Sequence, residues 1–140
     1  MTDPRCAEAC REVFLPEEFR IADLAVSTAF LYRDQAFRGR CLVTLREHST
    51  ELFQLTPAMR TALMEDVARI AEALFRALTP IKINYELLGN LVPHIHWHLI
   101  PRFREDGIYP QPIWAAPQPP RSLAAAERDT LIAKIRHSLR

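Results

Sequence analysis

The sequence has almost no net charge. Its 140 residues include 18 basic and 17 acidic side chains, which leaves a formal net charge of +1. A protein that grips a long nucleic acid concentrates lysine and arginine where it meets the phosphates, so this balance argues against a long nucleic-acid partner. A single nucleotide needs only a few local donors, and that class of ligand stays open.

Cysteine is also scarce, with Cys6, Cys10 and Cys41 the three in the chain. An odd number of thiols argues against a disulfide scaffold and favours a reducing compartment. The spacing of Cys6 and Cys10 is compatible with half of a zinc site. The sequence offers no convincing second pair of ligands, so we predict no metal site.

No apolar run approaches the roughly 20 residues of a membrane-spanning helix. The N-terminal residues are charged and lack the apolar core of a signal peptide. We therefore expect a cytoplasmic protein with no membrane partner. The length and the apolar fraction of 49% suit one domain over residues 1–140.

Three of the five histidines stand at alternate positions in the stretch NLVPHIHWHLIPR, residues 90–102. They are His94, His96 and His98. Apolar residues fill and follow the gaps: Ile95, Trp97 and Leu99. Successive side chains of a strand point to opposite faces, so the pattern predicts a strand with the histidines on one face and the apolar residues packed into the core. Arg102, at the end of this strand, could meet phosphate, but arginines at strand ends are usually solvated, and we expect the same here.

Four further strands are predicted from apolar and β-branched runs bounded by turn residues. They cover residues 21–25, 28–32, 40–46 and 81–88. Gly39, just before the third of them, suggests a tight backbone or a close approach to a neighbouring group.

A long helix is predicted over residues 56–78, with Thr56 as N-cap and Pro57 at the first helical position. Its apolar face comprises Met59, Leu63, Val67, Ile70, Leu74 and Leu78. After a proline-rich connector at 109–120, Ser122 is expected to cap a final helix. The apolar stripe of that helix comprises Leu131, Ile132, Ile135 and Leu139.

The predicted fold class is therefore α+β, a five-stranded, mostly antiparallel sheet with one long helix and a C-terminal helix. The core of the domain covers about residues 20–115, and the connector and final helix cover 109–140.

Three histidines on one strand face have three possible uses. Chelation of one metal ion is strained, because the Cα atoms of His94 and His98 would lie roughly 13 Å apart at about 3.3 Å per residue. A site with two histidines and partners from elsewhere stays open, as does a structural row of hydrogen-bonded histidines. Phosphoryl chemistry fits best, since imidazole is a nucleophile and proton carrier near neutral pH, and a row of rings suits an extended phosphate chain.

The stretch HIHWHLIPR resembles the motif of the histidine triad (HIT) nucleotide hydrolases and transferases, in which three histidines alternate with apolar residues. The resemblance extends over roughly residues 20–115. It includes Gly39 with the strand CLVTLREH, and INYELLGN (83–90), which is similar to a bacterial branch near the fragile-histidine-triad and dinucleoside polyphosphate hydrolases.

The resemblance implies that His96 attacks the α-phosphate of a nucleotide and forms a nucleotidyl-histidine intermediate. His94 would orient His96, and His98 would contact phosphate and help the leaving group depart. The implied chemistry requires no cofactor, although magnesium can accompany a polyphosphate substrate. The implied assembly is a homodimer with a continuous sheet.

The same resemblance implies four substrate-binding residues. Asp34 falls where the family carries a ribose-binding acid or amide. Asn84, Gly89 and Asn90 would donate hydrogen bonds to phosphates through side chain or backbone.

The chain departs from the family at Arg40, where a histidine commonly follows the glycine. Arg40 would either place a positive charge near the phosphates or face solvent. His48 is either the family's strand-end histidine near the site or a surface residue, and Trp114 either closes the site, packs a dimer or anchors the core. Two other functional classes stay open: a nucleotide-binding regulatory module with little turnover, and a metal-dependent hydrolase that uses the histidines as ligands.

Overall fold

Five antiparallel strands form one sheet in the computed structural model, which describes residues 8–140. The order of the strands is β1-β2-β3-β5-β4, and every neighbouring pair runs antiparallel. The elements are β1 (Arg20–Asp23), β2 (Ser27–Leu31), β3 (Cys41–Leu45), α1 (Pro57–Leu78), β4 (Lys82–Glu86), β5 (His96–Arg102) and α2 (Ala125–Ser138). The predicted α+β class is confirmed.

Helix α1 begins as its sequence predicts. The Thr56 hydroxyl accepts the Met59 backbone N–H at 3.1 Å, and Pro57 occupies the first turn, where its missing N–H costs no hydrogen bond. At the other end, Thr79 adopts a left-handed conformation with φ of 48°. Within residues 8–140, no helix is both long enough and apolar enough to cross a bilayer.

The two faces of the sheet have different neighbours. On one face, Val43 and Leu99 share a buried cluster with Ile70 and Leu74 of α1, and Trp97 packs against the same cluster. Leu42, which alternates with Val43 along β3, belongs to a second cluster on the opposite face. The predicted packing of Trp97 against the core is confirmed, and Leu42 marks the opposite face of the sheet.

Helix α2 starts later than predicted. It begins at Ala125, and the N-cap position is Ala124, which supplies no side-chain cap, so the expected cap at Ser122 is wrong. Arg121, the residue before Ser122, explains the later start. Its backbone N–H donates to Asp34 Oδ1 at 2.9 Å, and its backbone carbonyl accepts the Gln35 N–H at 2.7 Å. These bonds hold the chain against the Asp34 loop. The buried residues of the helix, Leu131, Ile132 and Ile135, are those predicted.

Arg102 corrects another expectation. Arg102 is 0% exposed. Its guanidinium donates to both carboxylate oxygens of Asp106, at 2.8 and 3.3 Å, and to Asn84 Oδ1 at 2.8 Å. A strand-end arginine is buried here because a carboxylate four residues later folds back onto it.

Gly39 occupies a conformation and a space that exclude a side chain. Its φ is 87°, and a Cβ placed there would lie 2.5 Å from Leu78 Cδ1 and 3.0 Å from Pro101 Cγ. The tight backbone expected at this position is therefore confirmed.

We expect Gly39→Ala to lower the free energy of unfolding by about 2–3 kcal/mol. An alanine is strained in this left-handed backbone conformation, and its methyl group overpacks the core. Gly107→Ala is a matched control, since Gly107 has φ of 84° but a methyl group at that position would meet nothing within 4 Å. It should lose only the conformational part, about 1 kcal/mol. Urea denaturation measures both, and equal losses would show that packing against Leu78 and Pro101 contributes nothing.

Candidate active site

The three alternating histidines do not share one environment. Strand β5 begins at His96, so His96 and His98 lie within the strand and line a cleft on the Leu42 face. His94 precedes the strand in a bend in which its own N–H donates to the Val92 carbonyl at 2.8 Å. The expectation that all three rings share one strand face therefore holds for two of them.

His96 is held with one nitrogen committed to the backbone. The residue is 6% exposed, and Nδ1 of its ring lies 2.6 Å from the His94 carbonyl oxygen. A carbonyl can only accept, so Nδ1 carries the proton and Nε2 of the neutral ring keeps its lone pair. Burial lowers the pKa of His96, which keeps the ring neutral and nucleophilic at physiological pH.

His98 meets a cation. Its Nδ1 lies 3.2 Å from Nε and 3.0 Å from Nη2 of Arg40. Burial, together with the charge of Arg40 and the adjacent His96 ring, lowers the pKa of His98 to about 3. The ring also packs edge-on against Tyr32, with centroids 5.5 Å apart.

His94 faces a different set of partners. Its Nε2 lies 2.5 Å from the Leu45 carbonyl oxygen, which can only accept, so Nε2 carries the proton and donates the hydrogen bond. Its Nδ1 lies 3.0 Å from Nδ1 of His48 and 3.6 Å from Sγ of Cys10. Burial lowers the pKa of His94, so the neutral ring turns its lone pair toward His48 and Cys10.

Cys10, His48 and His94 bring their ligand atoms within 4.8 Å of one another. Zinc binds cysteine as the thiolate, but the Cys10 sulfur is disulfide-bonded, so in this state the group does not offer zinc a thiolate. Sequence inspection missed this grouping because about 40 residues separate each member from the next. Cys6, which the sequence pairs with Cys10, lies outside the described residues. None of the three grouped side chains lines the cleft that contains His96 and His98.

The cleft has a volume of about 400 Å³, within the range of small-molecule sites. Its walls are mostly apolar, and two of its polar residues, Arg40 and Tyr32, contact His98. The lining residues described are Glu12, Val13, Tyr32, Arg40, Leu42, Leu88, Gly89, Asn90, Leu91, Val92, His96, His98 and Trp114.

Two of the four predicted binding residues line this cleft and two do not. Gly89 and Asn90 belong to the loop before β5 that forms one wall. Asn84 lies on β4, where its Oδ1 accepts from Arg102. Asp34 uses Oδ1 to accept the backbone N–H groups of Ala36 and Arg121, each at 2.9 Å.

Asp34 nevertheless lines an adjoining cleft of about 310 Å³. The two clefts share Arg40 and Trp114. Trp114 is 59% exposed, so it is no core anchor, and its Nε1–H donates to Glu86 at 2.7 Å. Arg40, which is 7% exposed, does not face solvent as one reading of the sequence allowed.

A family comparison agrees with this geometry. The model of the HIT domain matches residues 16–105, more than half of the chain. The chain belongs to the HIT family. The resemblance indicated by the histidine motif is therefore confirmed.

Two curated relatives align with part of this HIT protein. Adenosine 5'-monophosphoramidase hnt1 of Schizosaccharomyces pombe is 28% identical over 94 residues, which cover 62% of this chain and 66% of the relative. Protein hit of Bacillus subtilis is 32% identical over 85 residues, 56% of this chain and 59% of the relative. The aligned part thus spans just under two thirds of the first relative and less of the second.

Solved structures match over more of the chain. A histidine triad protein from Bradyrhizobium japonicum superposes with a TM-score of 0.79 at 29% identity, covering 89% of this chain and 93% of that one. A histidine triad protein from Sinorhizobium meliloti gives 0.81 at 26% identity, with coverage of 99% and 96%. The fold is therefore shared over nearly the full length of the HIT chain.

The stability of this HIT protein should fall on mild acidification. Burial lowers the pKa values of His94, His96 and His98 below the ordinary value of about 6.5. Below that pH the unfolded chain binds more protons than the folded one, so stability is lost as pH falls from about 6.5 toward the folded values.

We expect the free energy of unfolding, measured by urea titration between pH 7.5 and 5, to decrease by up to about 1.4 kcal/mol per pH unit for each buried ring. His98→Gln should show a shallower decrease because it removes one of these rings. A pH-independent free energy over this interval would contradict the buried, neutral state of the histidines.

Proposed function

We propose that this HIT protein cleaves nucleotides at the α-phosphate, with His96 as the nucleophile. The observation that carries the proposal is the orientation of His96. Its Nδ1–H is bonded to the His94 carbonyl, and the ring lines a cleft of nucleotide size. Such a ring offers Nε2 to an electrophile without first losing a proton.

In the first step the Nε2 lone pair forms a bond to the α-phosphorus. The bond from phosphorus to the leaving group breaks, and its electron pair departs with that group. The ring becomes a nucleotidyl-imidazolium whose Nδ1–H still bonds the His94 carbonyl, which stabilises the positive charge. His94 thus orients the nucleophile through its backbone.

In the second step water, or another acceptor, attacks the α-phosphorus. The phosphorus–nitrogen bond breaks, its electron pair returns to Nε2, and the proton of water passes to solvent or phosphate. The product of hydrolysis is a nucleoside monophosphate. His98 lies beside His96, with ring centroids 5.2 Å apart, within reach of the phosphate oxygens and the leaving group.

Dinucleoside polyphosphates are the substrates we favour. The triad cleft and the adjoining cleft of about 310 Å³ share Arg40 and Trp114, so a molecule with two nucleoside ends can occupy both. Gly89 and Asn90 would bind phosphates, and Asp34 in the adjoining cleft would bind a ribose. Asn84, committed to Arg102, would support the strand rather than touch phosphate.

A homodimer is the assembly we propose. Strand β4 ends the sheet, and its outer edge has no neighbouring strand within residues 8–140. Large apolar residues are exposed on α1 and β4, with Phe75 51% and Tyr85 48% exposed. Pairing of two β4 edges would satisfy the open backbone groups and cover these side chains. Light scattering on a sizing column should give twice the monomer mass, and a monomer at micromolar concentration would contradict the assembly.

The proposed activity is tested by incubating the protein with diadenosine tetraphosphate, ATP and adenosine 5'-phosphoramidate, with and without EDTA. We expect AMP to be released from at least one compound and release to survive EDTA, because the proposed chemistry uses no metal. Where EDTA reduces release, added magnesium should restore it by forming the polyphosphate complex.

The other outcomes separate the alternative functions. Tight nucleotide binding with no release under any condition would favour a regulatory module. Loss of phosphoramidate cleavage in EDTA would favour a metal-dependent hydrolase, since that substrate carries no polyphosphate chain for magnesium to bind.

A further inference from the structure

Arg40 contacts His98 and lies close to two aromatic rings. Its guanidinium donates to His98 Nδ1 through Nε at 3.2 Å, with Nη2 at 3.0 Å from the same atom. It lies 4.4 Å from the centroid of the Tyr32 ring and 5.4 Å from that of Trp114. A guanidinium buried between two aromatic rings has little freedom to turn away from its partner.

This contact determines which nitrogen of His98 carries the proton. Guanidinium nitrogens only donate, so Nδ1 must accept, and the proton of the neutral ring lies on Nε2. Protonation of Nδ1 would turn an N–H toward two other N–H groups and bring two cations together. The contact therefore opposes the imidazolium form as well as the other tautomer.

His96 and His98 consequently have opposite tautomers in the same cleft. His96 has its proton on Nδ1, bonded to the His94 carbonyl, and keeps a lone pair on Nε2. His98 has its lone pair on Nδ1 and an N–H on Nε2. In these tautomers Nε2 of His96 can act as a nucleophile, and Nε2–H of His98 can donate a hydrogen bond.

The other charged and titratable groups near this contact are Glu86, Tyr32 and Asp34, together with Glu12, which lines the same cleft. Glu86 stands opposite His98 in the pairing of β4 with β5, but its carboxylate accepts the Trp114 Nε1–H. Burial lowers the pKa of Arg40, while Tyr32, Glu86 and Asp34 act in the opposite direction. An arginine in such surroundings stays protonated.

We propose that Arg40 is a positioning residue that keeps His98 a neutral Nε2–H donor and thereby restricts this protein to leaving groups that depart as anions. The inference rests on the proposed function and specifies its substrate class. Phosphoanhydrides, such as dinucleoside polyphosphates and nucleoside triphosphates, are preferred over nucleoside phosphoramidates.

The restriction follows from the fate of the leaving electron pair. When an anhydride bond breaks, the pair goes to the bridging oxygen, and the departing phosphate is stable as an anion that accepts the His98 Nε2–H bond. When a phosphoramidate bond breaks, the pair goes to nitrogen, and the amine must gain a proton in order to leave. A neutral imidazole does not release its N–H at physiological pH, so His98 cannot supply that proton.

The first test needs no substrate, and its one variant serves only to assign the His98 signals. Long-range ¹H–¹⁵N correlation spectra of the wild-type protein, with His98→Gln used for assignment, show which ring nitrogen is protonated. We expect His98 to carry its proton on Nε2 and to stay neutral down to about pH 5. A proton on Nδ1, or protonation of the ring near pH 6.5, would overturn the proposal.

The second test compares kcat/KM for diadenosine tetraphosphate and adenosine 5'-phosphoramidate in wild type, Arg40→Met and Arg38→Met. Arg38 is an exposed neighbouring arginine and a control for loss of one positive charge. We expect wild type to prefer the anhydride and Arg40→Met to shift the ratio toward the phosphoramidate by about tenfold or more. In that variant the phosphoramidate rate should also rise as pH falls, because His98 can then be protonated.

The outcomes separate the inference from the proposed function. If Arg40 only binds phosphate, Arg40→Met will raise KM for both substrates and leave the ratio and the pH profile unchanged, which overturns the proposal. A wild type that prefers the phosphoramidate also overturns it. If wild type cleaves neither substrate, the proposed function fails together with the leaving-group restriction, and the spectra still decide whether Arg40 sets the His98 tautomer.

Discussion

Replacement of His96 by alanine is expected to abolish turnover while nucleotide binding is retained. The variant lacks the Nε2 lone pair that forms the covalent bond, and no other described ring in the cleft offers one, since Nδ1 of His98 accepts from Arg40. Loss of a nucleophile typically lowers kcat by roughly 10⁴- to 10⁶-fold. The cleft walls remain, so the dissociation constant for AMP should change only a few-fold.

The measurement is steady-state AMP release together with calorimetric titration of AMP. His137→Ala is a matched control, because His137 lies in the last turn of α2 and does not line the cleft. It should keep wild-type kcat. Intact mass spectrometry after a rapid quench should show a nucleotidyl adduct in wild type and none in His96→Ala. Substantial AMP release by His96→Ala would show that another group makes the attack.

The sequence predicted the elements whose signals are local. Period-two alternation placed Trp97 and Leu99 against the helices and His96 and His98 on the other face, because the strand geometry needs no information from the rest of the chain. Capping by Thr56 was likewise predictable, since the hydroxyl bonds an N–H only three residues away.

Features set by contacts between distant residues were not predictable. His94 leaves the strand pattern because the chain bends before β5 and the ring reaches Leu45 and His48, more than 40 residues earlier. The start of α2 is displaced by bonds from Arg121 to Asp34. Periodicity within one segment contains no information about such contacts.

The contact between Arg40 and His98 depends on both local and long-range information. The sequence marks the residue as unusual, since it follows Gly39 where the family commonly has histidine. Its partner depends on the register of β3 and β5, in which Leu42 stands opposite His98. Arg40 lies two residues before Leu42, and this register places its guanidinium against Nδ1 of His98, a contact between distant residues that the sequence alone did not identify.

Replacement of Arg102 by methionine is expected to give the largest loss of stability. The substitution removes a buried guanidinium from Asp106, whose side chain is 8% exposed, and from Asn84. Removing one partner of a buried ion pair costs about 3–5 kcal/mol, because the other charge stays buried without compensation. Urea denaturation at neutral pH measures the loss, and Arg104→Met, an exposed neighbour, should stay within about 0.5 kcal/mol of wild type.

The pH dependence of this loss distinguishes a broken ion pair from lost packing. In wild type, burial acts to raise the pKa of Asp106, but hydrogen bonds from Arg102 and from the backbone of Tyr109 and Ile108 hold it below its usual value. That carboxylate therefore stabilises the fold above about pH 4, and its contribution is lost as pH falls through the folded pKa.

Without Arg102 the pKa of Asp106 should rise above its wild-type value, because one of the groups that lower it is gone. Ionisation of Asp106 then stabilises the variant less than wild type near neutral pH, and protonation removes that difference. The difference in unfolding free energy between wild type and Arg102→Met should accordingly shrink as pH is lowered from 7 toward 4. A difference that stays constant over this range would assign the loss to packing of the arginine stem. A shrinking difference would show that the charge of Arg102 holds the end of β5, the strand that carries His96 and His98.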